Sequence, residues 1–189
     1  MNHCEIMLRL LEKEAGRPFL AAIDGRCTAG KTTLAGLLQE KLNCNVVHMD
    51  DFYLPFAKRT PETMAQPGGN MDFERLLEEV LLPLKSGTDA LYRPYNCHED
   101  YFLPTQSLNA AIPTIIEGSY SCHPLLRGCY DLRVFLDIDP EKQKVRLLAR
   151  NPAAFEAFQT TWIPREEAYF SACQVREHCD IVLNGSAAE

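Results

Sequence analysis

The sequence predicts an α/β protein, a mostly parallel sheet of five strands with helices on both faces. Three observations predict it. Short apolar runs recur along the chain, and segments of helical periodicity separate them. Residues 25–33, Gly-Arg-Cys-Thr-Ala-Gly-Lys-Thr-Thr, join the first run to the first helix in a complete G-x-x-x-x-G-K-T pattern. Parallel strands need a crossover between neighbours, which the helices supply, and such sheets are covered on both faces. A chain of 189 residues is expected to be one domain, 1–189, long enough to bury a full α/β core.

The elements follow in order. Met1 to Gly16 carries Glu5, Arg9, Glu12, Lys13 and Glu14 among its leucines, which fits a short amphipathic helix and not a signal peptide. Phe19–Asp24 is the first strand. Leu34, Leu37, Leu38 and Leu42 share one face of the helix after the loop. Asn45–Asp50 is the second strand and ends in acid. Asp72–Lys85 is a helix with Phe73, Leu76, Leu77, Val80 and Leu81 inward, closed by Ser86-Gly87. Thr114–Gly118 and Leu132–Ile138 are the third and fourth strands. Asp139 caps a helix that has Pro140 in its first turn and runs to about Arg150. Pro164 opens another helix to about Glu177, and Asp180–Leu183 is the fifth strand. Residues 54–71 and 91–113 lack periodicity, and loops this long in a compact domain are functional or mobile. They are the expected substrate loops, and residues 151–164 the expected lid.

The chemistry centres on the loop. Its glycines let the backbone curl so that N–H groups point at phosphate oxygens, and the helix N-terminus adds partial positive charge. Gly25, Arg26, Cys27, Thr28, Ala29, Gly30, Lys31, Thr32 and Thr33 form this nucleotide-binding set. Lys31 would reach the β- and γ-phosphates and Thr32 would hold Mg²⁺, whereas Thr33 packs or caps. Ligands of such sheets bind beyond the carboxyl ends of the strands, where Asp24, Asp50, Asp51 and Glu117 fall. One of the paired aspartates can orient an alcohol and accept its proton, while the other caps a turn. Glu117 can hold Mg²⁺ directly or through water.

Composition sets outer bounds. A formal net charge of −7 argues against a nucleic-acid or anionic-membrane surface, but not against a nucleotide, which needs only a local positive cluster. No apolar run approaches a membrane span. The eight cysteines are scattered without a C-x-x-C pair and are expected to be reduced thiols of a cytoplasmic protein. Cys97-His98 and His178-Cys179 match no zinc spacing. The sequence does not set the oligomeric state, and a homo-oligomer is compatible with it.

Several motifs then occur in one order. These are the loop, Asp50-x-Phe52-Tyr53, Asn70-Met71-Asp72-Phe73-Glu74, Tyr92-Arg93-Pro94-Tyr95, Ile116-Glu117-Gly118 and Val134-Phe135-Leu136-Asp137. The chain thereby resembles the uridine kinase/phosphoribulokinase-like family of P-loop small-molecule kinases, from about Leu20 to Leu183. The loop is common to many NTPases, and the Asp-x-Phe-Tyr and Glu-Gly elements narrow the resemblance. It implies a three-layer P-loop NTPase fold of the kinase type, with ATP and Mg²⁺ as the donor system. It puts Asp50 at the catalytic aspartate, Thr32 and Glu117 at the magnesium positions, and Tyr95 near the aromatic that holds a nucleobase. His98 stands near the base-contacting histidine, at a shorter spacing from Tyr95. Asp51, Tyr53, Asp72, Arg93, Tyr95 and His98 form the candidate acceptor side. Asp72 is equally a helix cap, and Arg93 equally a surface arginine or a contact for an anionic acceptor.

There are departures. Gln66-Pro67-Gly68-Gly69-Asn70-Met71-Asp72 lacks the acid that grips ribose hydroxyls, and Asn96 replaces an aspartate. The family's arginine-rich lid is absent. Arg146 and Arg150, at i, i+4 on one helix face, are the candidates for phosphate contact, Arg150 as the catalytic one, with Arg165 beyond. Phe155, Phe158 and Trp162 are expected to pack. The leading expectation is an ATP-dependent kinase acting on a hydroxyl of a small metabolite, foremost a nucleoside such as uridine or cytidine. The alternatives are a kinase for pantothenate or a sugar phosphate, and a non-catalytic ATP-binding regulatory protein. A GTPase switch would need an Asn-Lys-x-Asp element, which the chain lacks.

Overall fold

In a computed structural model of the protein, which describes residues 3, 5–7 and 18–185, nine strands form three sheets. They are β1 (Leu20–Gly25), β2 (Asn45–His48), β3 (Ala90–Tyr92), β4 (Tyr95–Asn96), β5 (Tyr101–Phe102), β6 (Gln106–Leu108), β7 (Thr114–Glu117), β8 (Leu132–Asp137) and β9 (Ile181–Asn184). The central sheet has the order β2-β7-β1-β8-β9, and every pair in it is parallel. β1 lies in the middle and is buried along its whole length, so the loop that leaves it starts from the most rigid part of the sheet.

Alternation along the strands divides the core. Ala21, Ile23, Ile115, Val134 and Leu136 face one side and pack with Leu34, Ala35 and Leu38 of α1 (Lys31–Leu42). Leu20, Ala22, Val47, Ile116 and Phe135 face the other, against Leu76, Val80, Tyr169 and Phe170. This is the three-layer arrangement that period-2 burial on both faces requires. Leu37 departs from its expected inward face and is 42% exposed. Among the N-terminal residues expected to be helical, His3, Glu5, Ile6 and Met7 are described and helical, and Met7 is buried. The rest of that expectation lies outside the described residues.

Two helices run through a proline. The helix here called α2 joins Phe73–Leu76 to Leu82–Lys85 through a π-helical turn, Leu77–Leu81. The later helix, after α3 (Pro140–Arg150), is α4, which joins Phe155–Ala157 to Ile163–Ala172 through a second π turn, Phe158–Trp162. Each π turn ends two residues before a proline, Pro83 or Pro164. A proline cannot donate to the carbonyl four residues back and its ring crowds it, so the preceding turn widens and the helix continues. This corrects one expectation: Pro164 does not open a helix. Residues 151–164, the expected lid, form a 3-10 turn (Pro152–Ala154) followed by the start of α4. α4 also ends at Ala172 rather than near Glu177, with Gln174 left-handed at φ 47.

Residues 91–113 are more ordered than their sequence suggests. β3 pairs with β6, and β4 with β5, both antiparallel, one ladder nested inside the other. The second strand stops at His48, and Met49–Phe52 form a 3-10 turn that buries Met49 and Phe52. Asp50 and Asp51 therefore sit on a tight turn and not on the strand.

Candidate active site

The phosphate loop passes from β1 to α1 at the carboxyl edge of the sheet. At Gly25, φ is +133, and a Cβ would stand 2.1 Å from the Leu136 carbonyl oxygen, so only glycine lets the loop cross β8. Gly30 turns left-handed at φ +102 into open space, immediately before α1. The loop N–H groups and the α1 N-terminus form the cradle an oligophosphate requires. Lys31 is nearly buried, with Nζ donating to Gly25 O (2.6 Å), Arg26 O (2.9 Å) and Ser119 Oγ (3.3 Å). The Thr32 hydroxyl donates to Glu117 Oε1 at 3.1 Å. His48 Nδ1 approaches the same oxygen at 2.5 Å, and that hydrogen bond raises the pKa of His48. A hydroxyl and a carboxylate beside a phosphate cradle are hard oxygen donors and fit Mg²⁺, which takes one or two carboxylates plus phosphate oxygens. Thr33 is exposed on the first turn of α1.

Neighbouring elements brace the loop. Arg26 makes a two-pronged pair with Glu167 (2.6 and 3.0 Å) and also reaches Asp137 (2.5 Å). The Cys27 N–H donates to Glu166 Oε2 at 3.1 Å, and Ser119 Oγ donates to Glu166 Oε1 at 2.5 Å. Burial, and then the Glu166 charge, push the Cys27 thiol up to about 11. From α3, the amide of buried Gln143 donates to Cys27 O (3.2 Å), and Arg146 Nη1 to Thr28 O (3.3 Å). Ala29 is buried beneath. Arg150, one turn on, is exposed and makes no hydrogen bond or ion pair among the described residues. Asp24 is fully buried and accepts from Gly25 N, Tyr120 N, Cys122 N and the Tyr169 hydroxyl (2.7, 3.2, 2.8 and 2.8 Å). Desolvation raises its pKa, while these donors, Cys122 first, work against the rise. Asp24 thus anchors β1, the turn after β7 and α4 to one another.

The residues expected on the acceptor side follow β2. Asp50 opens to solvent there. Desolvation by the crevice walls, and then the Glu117 charge, raise its carboxyl above the ordinary range. Asp51 turns the other way and accepts from the Tyr92 hydroxyl at 3.1 Å. Tyr53 bridges to Met71, Leu54 N donates to Asn70 O (2.9 Å), and Asp72 N to Phe52 O (2.7 Å). Residues 52–54 and 70–72 therefore clamp the base of the loop between them. Burial, and then Asp50, push the Tyr53 phenol upward.

The remaining candidates are engaged within the fold. Asp72 is buried, caps α2 by accepting from Arg75 N (3.2 Å) and pairs with Lys58 (3.2 Å). Arg93 donates to the carbonyls of Leu103 (3.0 Å) and Phe102 (2.9 Å), which ties the nested ladders together. The Tyr95 hydroxyl donates to Asp100, and the Tyr95 ring lies 5.3 Å from that of Phe102. His98 is exposed, and its ring makes no hydrogen bond among the described residues. Phe155, Phe158 and Trp162 are half-buried, with Arg165 5.5 Å over the Trp162 ring. Sequence reasoning missed Glu166, Glu167, Ser119 and Gln143. All four reach the loop from distant segments, and no local pattern marks them.

No family model matches the chain. It is 24% identical to uridine kinase-like protein 3 of Arabidopsis thaliana over 150 residues, 74% of this chain and 32% of that one. It is 27% identical to a pantothenate kinase of Streptomyces avermitilis over 180 residues, 83% of this chain and 54% of that one. The chain thus spans about a third and about half of these curated relatives. Among solved structures, a Bacillus stearothermophilus protein described as a possible uridine kinase superposes with a TM-score of 0.71 at 21% identity, covering 95% of this chain and 96% of that one. The fold is that of the P-loop kinases, and the chain resembles their uridine kinase-like family.

Proposed function

We propose that the protein is a Mg²⁺- and ATP-dependent phosphotransferase that moves the γ-phosphoryl group to a hydroxyl of a small metabolite. The observation that carries this reading is the Thr32–Glu117 contact at 3.1 Å beside a complete phosphate loop, with Asp50 exposed two residues past His48, the register partner of Glu117. The loop N–H groups and Lys31 would cradle the β- and γ-phosphates and stabilise charge as it develops. Thr32 and Glu117 would hold Mg²⁺, which when bound neutralises the phosphate oxygens. Asp50 would orient the acceptor hydroxyl and take its proton, a task suited to a carboxylate of raised pKa. Arg146 is the α3 arginine best sited to approach a phosphate, because it already touches the loop. The relatives named above differ in the acceptor their names imply, so nucleosides and pantothenate stand side by side as candidates.

The test is ADP formation from Mg²⁺-ATP in the presence of uridine, cytidine, pantothenate and ribulose 5-phosphate. The expected result is acceptor-dependent release that disappears in Lys31→Ala. ATP binding without transfer to any acceptor would instead favour a nucleotide-binding regulator.

A further inference from the structure

We propose that Cys122 and Cys179 form a modification site, a thiol pair that a peroxide converts to a reversible intramolecular disulfide. The proposal is independent of the phosphotransferase reading. The two residues are 57 positions apart in the chain, and their Sγ atoms lie 3.8 Å apart. No other two cysteines make such a contact among the described residues. Cys129 and Cys173 pack against the same core cluster, yet neither meets a second thiol among them.

Both members of the pair sit in irregular backbone between fixed points. Cys122 lies in the turn after β7, and Cys179 in the bend that leads into β9. The Cys122 N–H donates to Asp24 Oδ2 at 2.8 Å, and the Cys122 carbonyl accepts from Arg127 Nε at 2.9 Å. Arg127 Nη2 donates to Cys173 O, so one guanidinium ties that turn to the end of α4. Asp180, next to Cys179, is pinned to β8. Its N–H donates to Arg133 O, and its carboxylate accepts from Arg133 Nη2, each at 2.8 Å. These anchors hold the two sulfurs side by side. A disulfide brings them to about 2 Å, and turn backbone can take up that approach without breaking a helix or a sheet ladder.

Access assigns the roles. Cys179 is half-buried and Cys122 is 1% exposed, so the oxidant meets Cys179 first. The contact with Cys179, and then burial, push the Cys122 thiol well above its ordinary pKa, which leaves the first attack to Cys179. The Cys179 thiolate attacks one oxygen of hydrogen peroxide. The S–O bond forms as the O–O bond breaks, and the leaving hydroxide takes up a proton to become water. The Cys122 sulfur then attacks the Cys179 sulfur. The S–S bond forms as the S–O bond breaks, and the departing hydroxide carries off the Cys122 proton as a second water. Two thiols are oxidised, one peroxide is reduced, and a dithiol reverses the reaction. The cross-link joins the approach to β9 to the turn that holds Asp24. Asp24 also accepts from Gly25 N (2.7 Å), so the bond braces the support of the phosphate loop.

Peptide mapping tests this without reading nucleotide or turnover. The reduced protein is treated under native conditions with a small excess of hydrogen peroxide. Remaining thiols are blocked by alkylation, and the digest is read by mass spectrometry. The expected product is a linked peptide joining Cys122 to Cys179, lighter by two hydrogens than its parts and separated by dithiothreitol. The oxidised protein is expected to melt several degrees higher, because a cross-link over a long stretch of chain restricts the unfolded state. In Cys179→Ser, which changes the half-buried member and spares the core, peroxide is expected to give neither the linked peptide nor the rise in melting temperature. Cys173→Ser is expected to behave as the wild type. The proposal is overturned if Cys122 and Cys179 stay unlinked, if either pairs instead with Cys129 or Cys173, if the link forms only in denaturant, or if the oxidised protein melts no higher than the reduced one.

Discussion

The two walls of the crevice are built on opposite plans. On the nucleotide wall the polar groups satisfy one another. Lys31 lies on two loop carbonyls, Arg26 on Glu167 and Asp137, and the Cys27 N–H on Glu166. On the proposed acceptor wall Asp50 is exposed, with its carboxyl raised above the ordinary value by desolvation. A cradle for a ligand shared by many enzymes can rest closed on its own partners, because a triphosphate brings enough charge to displace them. On the proposed acceptor wall Asp50 forms no ion pair among the described residues, as a base that is to take an alcohol's proton requires.

The comparison is open to four experiments, in order of expected effect. Lys31→Ala removes the phosphate-loop lysine and should lower turnover on the order of 10³-fold, with the melting temperature nearly unchanged. A large fall in melting temperature would make Lys31 a brace for the loop instead. Asp50→Asn should lower kcat on the order of 10²-fold while ATP still binds. In the wild type, kcat/KM should fall as pH drops through a value above the ordinary 3.8 of aspartate, since desolvation raises Asp50 and the base form is the active one. Loss of ATP affinity in this variant would move Asp50 to the nucleotide wall and erase the contrast.

Glu166→Gln tests the closed wall. Removing the charge that holds the Cys27 N–H should tighten ATP binding by about threefold to tenfold, read by calorimetry, because hydrogen bonds to charged groups are the stronger ones. Weaker binding would mean that Glu166 shapes the loop for its ligand and does not compete with it. The smallest effect is expected at His123, which supports both walls by stacking 3.8 Å from Phe73 of α2 and 6.2 Å from Tyr169 of α4. Burial, and then Arg127, lower its pKa from 6.5 to about 4. A folded-state pKa below the unfolded one means that the unfolded chain takes up the proton first. Stability should therefore be lost as pH falls from 6.5 toward about 4, as a drop in melting temperature that His123→Phe lessens.

How much was legible depended on how local each signal is. The phosphate loop, the Asp139 cap and the five central strands each declare themselves within a few residues. A G-x-x-x-x-G-K-T turn, an Asp-Pro helix start and a short apolar run have few other uses. The π turns before Pro83 and Pro164 were hidden, because a proline within a helical pattern signals a break unless the surrounding packing holds the helix together. The nested ladders of residues 90–108 were hidden as well, since strands of two or three residues carry no readable period.

By itself the sequence determined the order of the elements, the phosphate-loop pattern and the acids at the strand ends, all properties of contiguous residues. Only the tertiary structure decided which side chains find partners within the fold. Arg93 and Arg59 look alike in the sequence, yet one is tied to two carbonyls and the other keeps a buried nitrogen unbonded. Glu166 meets Cys27 across 139 positions of chain. A side chain's partners are set by the elements packed around it, and no run of neighbours along the chain encodes them.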